Sequence, residues 1–449
     1  MTIETASIGI LHKAVDKLAD GYRHLPAHTP EYDQQRAEQI LLQVAEKMWD
    51  NYPYPHPQYA GQMLKPPHPV ARMAYMLATW INPNNHALDG GKASSAMEKE
   101  AVAKIATMYG WNNFLGHLTG GGTLANLEAL WVANQIHPGK TVLASSQAHY
   151  THNRICGVLQ IPFSPVAVDD QARMDLTDLE KQLQQRDVGT VVVTLGTTGV
   201  GSVDPLPEIL TLQAQYGFRI HIDSAYGGYY TLADNLTAPV RAAYDAIHRA
   251  DSIVVDPHKH GLQPYGCGCV LFRDPQVGQY YKHDSPYTYF SSDELHLGEI
   301  SLECSRAGAA AVALWATLEM FPLVHKGDFA SDLSRCREAA LELYSRLKND
   351  NRFITPLSPD LDIVIWAPKA ATTREISRLS QQTFEQAEAQ HLYLATFSFP
   401  SHLISKAFPE VTVDSEYTTC VRSCLMKPEH AAWGSRIWLM LDQIQNRLT

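Results

Sequence analysis

One lysine in this chain is delivered to a place where an amine can react. The segment Asp251-Ser-Ile-Val-Val-Asp-Pro-His258-Lys259-His-Gly-Leu-Gln-Pro-Tyr-Gly266 runs from a β-branched stretch into a Gly/Pro-rich turn. Ile253, Val254 and Val255 read as the end of a short strand covered on both faces, and Pro257 stops the ladder there. A lysine at such a lip is partly desolvated, which disfavours the ammonium and frees the neutral amine to condense with an aldehyde. Upstream, His221-Ile-Asp223-Ser-Ala225-Tyr-Gly-Gly228 ends a second strand-like run on a carboxylate. Together they suit pyridoxal 5'-phosphate, which takes an amine at its aldehyde and an acid partner at its ring nitrogen. Alone, Lys259 would read as one more solvated surface charge.

Three more segments belong with these two. Thr119-Gly120-Gly121-Gly122-Thr123-Leu-Ala-Asn126 opens a helical run. Its glycines allow close backbone approach, and a helix start offers free N–H groups at a positive dipole end, so the run is a candidate phosphate cradle. It matches neither G-x-G-x-x-G nor G-x-x-x-x-G-K-[ST], which argues against a nucleotide, and by itself would be an ordinary turn. Gln147-Ala-His149-Tyr150-Thr151 follows a strand over Thr141–Ala144, where an imidazole can lie flat over a pyridine ring. As one of 20 histidines, His149 would otherwise be a satisfied polar residue. Thr194-Leu-Gly196-Thr197-Thr198-Gly199-Val-Gly201 is another strand followed by a small-residue turn, suited to closing over a flat ligand.

Such pieces need a sheet to present them. Strands are expected at Thr141–Ala144, Thr190–Thr194, Ile220–Ile222, Ser252–Val255 and Cys269–Phe272, separated mostly by helices such as Leu176–Arg186 and Leu206–Tyr216. That alternation predicts an α/β fold with a mostly parallel sheet, whose ligands sit beyond the carboxyl ends of the strands. Residues 1–92 begin helical and pass through the irregular tract Asn51-Tyr-Pro-Tyr-Pro-His56-Pro57-Gln-Tyr59-Ala-Gly61, which must lie extended over another surface. A helix over Val70–Ile81 follows. Residues 93–329 form the large domain, its last helix expected in the apolar stretch Ala309–Val324. Residues 330–449 read as a smaller α+β domain, with helices over Asp332–Asn349 and Thr373–Gln390 and a strand at Ile363–Trp366.

Composition bounds the partners. With 36 basic against 47 acidic residues the formal net charge is −11, and nucleic acid or an anionic membrane would demand a basic face. No apolar stretch reaches the length of a membrane span, and the N-terminal residues lack a secretory pattern. Seven cysteines make no disulfide framework, and Cys267-x-Cys269 and Cys420-x-x-x-Cys424 lack the spacing of a zinc site. A soluble, cytoplasmic protein without a metal is expected.

GGGT-x-AN, H-Y-T, LGTTGxG-x-x-D-P, HIDSAYGG and DSIVVDPHK occur here in the order seen in the pyridoxal-dependent group II decarboxylases. The chain resembles that family of aromatic amino acid, tyrosine, histidine and glutamate decarboxylases, well over residues 50–325 and loosely elsewhere. The resemblance implies the aspartate-aminotransferase type of fold and a homodimer with shared active sites, its N-terminal arm clasping the partner. Lys259 would carry the cofactor as an aldimine and Asp223 would pair with the ring nitrogen. Ala225 would pack beneath the ring and His149 above it. Gly121, Gly122 and Thr123 would hold the phosphate, with His258 and Thr197 near the cofactor and the substrate carboxylate. An amino acid would lose CO2, and Tyr287 or Tyr289 would protonate the α-carbon.

The substrate is less legible. His56-Pro-x-Tyr59-x-Gly61-x-Met63 and Asn82-Pro-Asn-Asn look most like the bacterial and archaeal tyrosine decarboxylases, so an aromatic, tyrosine-like substrate is expected, with His56 and Tyr59 near it. His260 departs from that pattern. An acidic substrate would instead need an arginine on its distal carboxylate, and Arg306, Arg422 and Arg154 are available. The HK-x-G-x-x-P pattern also resembles sphingosine-phosphate lyase, a carbon–carbon lyase. A binding module that had lost catalysis would lack the lysine, the aspartate or the glycine run, and all three are present.

Overall fold

Val188–Thr194, read from its β-branched run as a strand, is buried along all but its first residue. It lies inside the sheet, as a strand covered by helices on both faces must. The computed structural model describes residues 4–282 and 297–448. Among them the large sheet has seven strands: β1 (Leu115–Thr119), β2 (Thr141–Ser145), β3 (Phe163–Val166), β4 (Val188–Thr194), β5 (Arg219–Asp223), β6 (Ser252–Val255) and β7 (Gly268–Phe272). Their spatial order is β1-β7-β6-β5-β4-β2-β3. The β2–β3, β2–β4, β4–β5 and β5–β6 pairs are parallel, while β7 runs antiparallel to both β6 and β1. Two reversals restore the direction, so β1 runs with β6 and brings Gly120–Gly122 to the same edge as Asp223 and Lys259.

All five expected strands are present, while β1 and β3 were not anticipated. β1 contains Gly116 and His117, which break an apolar pattern. His117 is nevertheless buried, its Nε2 2.9 Å from Glu128 Oε2 and its Nδ1 2.8 Å from the Leu118 carbonyl. β3 pairs on one side only and so tolerates Pro165. The helix Leu206–Tyr216 has its expected bounds. The one expected to reach Arg186 ends at Gln185, because Arg186 is already extended. A third, Gly308–Met320, stops short of Pro322.

The second sheet is antiparallel, in the order β10-β11-β9-β8, from β8 (Phe353–Ile354), β9 (Ile363–Pro368), β10 (Ala395–Pro400) and β11 (Tyr417–Cys424). Helices Asp328–Lys348, Thr373–Ala389 and His430–Leu448 contribute apolar side chains to its core. The irregular tract around His56 is bound along its backbone to the small sheet of this same chain. Tyr393 N–H donates to the Gln58 carbonyl, Ala60 N–H to the Tyr393 carbonyl and Cys424 N–H to the Ala60 carbonyl. Lys427 Nζ donates to the Tyr59 carbonyl at 2.6 Å. The prolines deny the tract a helix, and the small sheet and its flanking loops take up its free backbone groups.

Candidate active site

The turn after β6 carries Lys259, whose Nζ lies 3.1 Å from Asp256 Oδ2. The ammonium thus has a buried counter-ion that the sequence reading did not supply. His258 packs beside it, its Nδ1 2.8 Å from the Cys267 carbonyl and its ring 4.7 Å from that of Tyr265. Pro257 ends the strand, so Asp256, His258 and Lys259 from one tight turn converge on the cavity.

Asp223 closes β5. Its Oδ2 is 2.8 Å from His152 Nε2 and its Oδ1 accepts the Ala225 N–H at 3.1 Å. Burial pushes this carboxyl up, but His152, the Ala225 N–H and Lys259 outweigh it and hold the group well below the usual carboxylate range. Asp223 is therefore ionised at neutral pH. His149 lies one helical turn before His152, with Nδ1 2.8 Å from Thr151 Oγ1. Burial pushes the His149 imidazole down, against the opposing pull of Asp223, so it presents a neutral ring.

The helix Gly122–Ile136 begins at Gly121 (φ 151°) without a side-chain cap, leaving its first N–H groups open. A Cβ on Gly122 would stand 2.6 Å from Asp256 Oδ2, so only glycine lets the loop approach that carboxylate. The loop is also tied to β5. Asn126 Nδ2 donates to the Gly122 carbonyl at 2.9 Å, and Asn126 Oδ1 is 2.8 Å from His221 Nε2, while His221 Nδ1 is 2.9 Å from Ser252 Oγ.

These groups surround a cavity of about 510 Å³ lined by the glycine loop, His149, Asp223, Ala225, His258 and Lys259. Its volume suits a cofactor. Thr194 Oγ1 and Asp256 Oδ1, on residues that line it, are buried without a partner among the described residues. An amine, an ionised carboxylate, open helix-start N–H groups and unspent polar atoms are what pyridoxal phosphate needs. The donor set fits.

Other expected residues fall elsewhere. Thr197 is fully buried, with its hydroxyl accepting the Ser202 N–H at 3.1 Å, and Gly196 and Thr198 line the cavity in its stead. Arg306 lies away from the cavity on Glu98 Oε1 at 2.8 Å and on the Leu118 carbonyl. His56 packs edge-on to Trp433, and Tyr59 is buried under Lys427. Neither lines the cavity, because the tract is spent on the small domain. Tyr287 and Tyr289 lie outside the described residues. Arg422 borders a second cavity of about 680 Å³, which shares His149 and Thr198 with the first. Sequence reasoning missed Asp256, His152 and Asn126. Only Asp256 had a signal, three residues before the lysine.

Two consequences can be measured. Burial pushes His221 down from 6.5 to about 3. Between those values the unfolded chain binds a proton here and the folded chain does not, so stability falls as pH drops through this window. Urea unfolding of His221→Asn between pH 7 and 4 should show a shallower loss by up to one proton. Gly122→Ala should weaken pyridoxal phosphate binding by about tenfold or more, ~1.4 kcal/mol, in a titration of the apo protein. An unchanged affinity would remove the loop from the cofactor site.

Comparison with known proteins bears on the same cavity. A model of the pyridoxal-dependent decarboxylase conserved domain matches residues 128–368. The L-tyrosine decarboxylase of Enterococcus faecium is 26% identical over 439 residues, covering 74% of this chain and 72% of that protein. The L-aspartate decarboxylase of Thermococcus kodakarensis is 28% identical over 286 residues, covering 63% and 72%. The fold is also that of the crystal structure of Oryza sativa TDC with PLP and tryptamine, with a TM-score of 0.79 at 17% identity over 100% and 99% of the two chains. The chain belongs to the pyridoxal-dependent decarboxylase family and is a pyridoxal-phosphate-dependent amino acid decarboxylase.

Proposed function

We propose that the chain decarboxylates an aromatic, tyrosine-like L-amino acid to its amine, using Lys259 and Asp223 as the cofactor's two anchors. The observation that carries this reading is the second cavity, which meets the first at His149 and Thr198 and is bordered by Tyr150, Phe397 and Tyr417. Bound pyridoxal phosphate would supply a ring that accepts the electron pair left when the carboxylate departs. The ionised Asp223 holds a proton on the ring nitrogen, and His152 and the Ala225 N–H keep that carboxylate charged. Lys259 Nζ would hold the cofactor through its aldehyde carbon. The open N–H groups after Gly121 hold the phosphate. His149, neutral, would cover one face of the ring with Ala225 on the other, and Tyr287 or Tyr289 would supply the proton to the α-carbon.

An acidic substrate is the second reading, and Arg422 favours it. Its guanidinium is buried against the carbonyls of Thr198, Gly199 and Gly61, without a carboxylate partner among the described residues. The relative from Thermococcus kodakarensis acts, by name, on L-aspartate. Purified protein supplied with pyridoxal phosphate should release CO2 from L-tyrosine with at least tenfold higher kcat/KM than from L-aspartate. The reverse order would replace the aromatic reading, and turnover by Lys259→Ala would overturn the site itself.

The homodimer is likewise our reading. The helix Gln34–Lys47 buries no residue, yet Ile40, Leu41, Leu42 and Val44 are exposed on it, and Trp49 just beyond is 79% exposed. A second copy covering that face accounts for them. Sedimentation should give twice the chain mass, and Leu41→Glu with Trp49→Glu should halve it. A monomeric wild type would refute this.

A further inference from the structure

His260 directly follows Lys259 but does not border the cavity. It is wholly buried, with Nε2 3.1 Å from Asp362 Oδ2 just before β9, a charge contact that is not aligned as a hydrogen bond. The same carboxylate accepts the Tyr230 hydroxyl at 2.8 Å and that of Tyr226. Among the described residues no lysine or arginine lies within 4 Å of it. Burial pushes Asp362 up, but His260 and the two phenols outweigh that and hold it below the ordinary carboxylate range. A buried carboxylate so dependent on its donors fixes where they stand.

The groups that meet this carboxylate come from two turns. Tyr226 closes the segment that begins at Asp223 and passes through Ala225, and it lines the cofactor cavity. His260 shares the turn of Lys259. The segment bearing Asp362 is docked independently. Asp360 is held by Arg173 Nη2 at 2.6 Å, by the Val203 N–H at 3.0 Å and by Arg337 Nε on its carbonyl at 2.8 Å. Docking onto the large domain therefore does not rest on the Asp362 charge.

We propose that Asp362 is a positioning residue, carried by the small domain, that holds the Asp223–Tyr226 and Lys259–His260 turns in register with each other. This rests on the reading of Lys259 and Asp223 as the cofactor's anchors. Binding a flat ring between two turns from different strands requires both to be fixed before it arrives, and Asp362 touches both.

Asp362→Asn offers one acceptor where the carboxylate has two, and turns a donor toward groups that themselves donate. With the better of L-tyrosine and L-aspartate, its kcat should fall by about 100-fold, the cost of a small misplacement at a reacting centre, with KM within a few-fold. Hydrogen exchange of the apo protein should rise in residues 223–230 and 257–263 and stay unchanged in the rest of the small domain. Wild-type kcat in a folded Asp362→Asn would overturn the proposal. Should that variant not fold, Tyr226→Phe keeps the ring and deletes the hydroxyl, and His260→Leu is set against His260→Gln. A kcat lost in Tyr226→Phe and His260→Leu and regained in His260→Gln supports the proposal, and wild-type kcat in all three refutes it. Lys259→Ala, assayed alongside, separates the failures, since turnover there overturns the site and not Asp362 alone.

Discussion

A carboxylate kept ionised inside the protein is the constraint on which this architecture turns. Asp223 sits at the end of a buried strand, where desolvation alone would push its pKa up. It stays charged because His152 reaches it from the helix after β2 and because the chain turns sharply enough to aim the Ala225 N–H back at it. The first donor depends on strand order. β4 lies between β2 and β5, so His152, at the start of the helix after β2, reaches Asp223 across the end of β4.

The glycine loop is coupled to the same strand. Asn126 bridges the Gly122 carbonyl and His221, and His221 continues to Ser252 on β6. One polar chain thus links the loop after β1 to the strands bearing the acid and the amine. It is buried, and its cost is offset because both His221 nitrogens and the Asn126 oxygen have partners. A cofactor bound at this cavity would need such a frame, since error in any one of its loops is transmitted to the reacting atoms. Asp256 adds a second link, lying against both the Gly122 backbone and Lys259 Nζ.

The tract around His56 shows how a local reading gives a conformation without giving the surface it packs on. Its prolines and aromatics do force an extended segment that packs on something. The surface it finds is the edge of its own small domain, where Tyr393 and Cys424 offer free backbone groups. Backbone pairing partners carry no signature in the tract itself. The same holds for Arg306, whose charge suggested a substrate carboxylate and whose actual partner, Glu98, lies more than two hundred residues away in the chain.

Much of the large domain was legible because short-range physics dictates it. β-branched runs bounded by glycine and proline mark β2, β4, β5, β6 and β7, and Lys259, Asp223, His149 and the glycine loop each stand just past a strand, where ligands of such sheets bind. β1 and β3 stayed hidden because their glycine, histidine and proline are tolerated only through Glu128 and an unpaired edge. The sequence by itself determined which residue types carry the chemistry and at which strand ends they stand. The tertiary structure alone decided which of them share one space: His152 with Asp223, Asp256 with Lys259, Thr198 rather than Thr197 at the wall, and Asp362 beneath both turns. The reason is physical. Periodicity and turn chemistry act over a few residues, whereas the partners of a buried charge are chosen by packing between strands that sequence separation does not order.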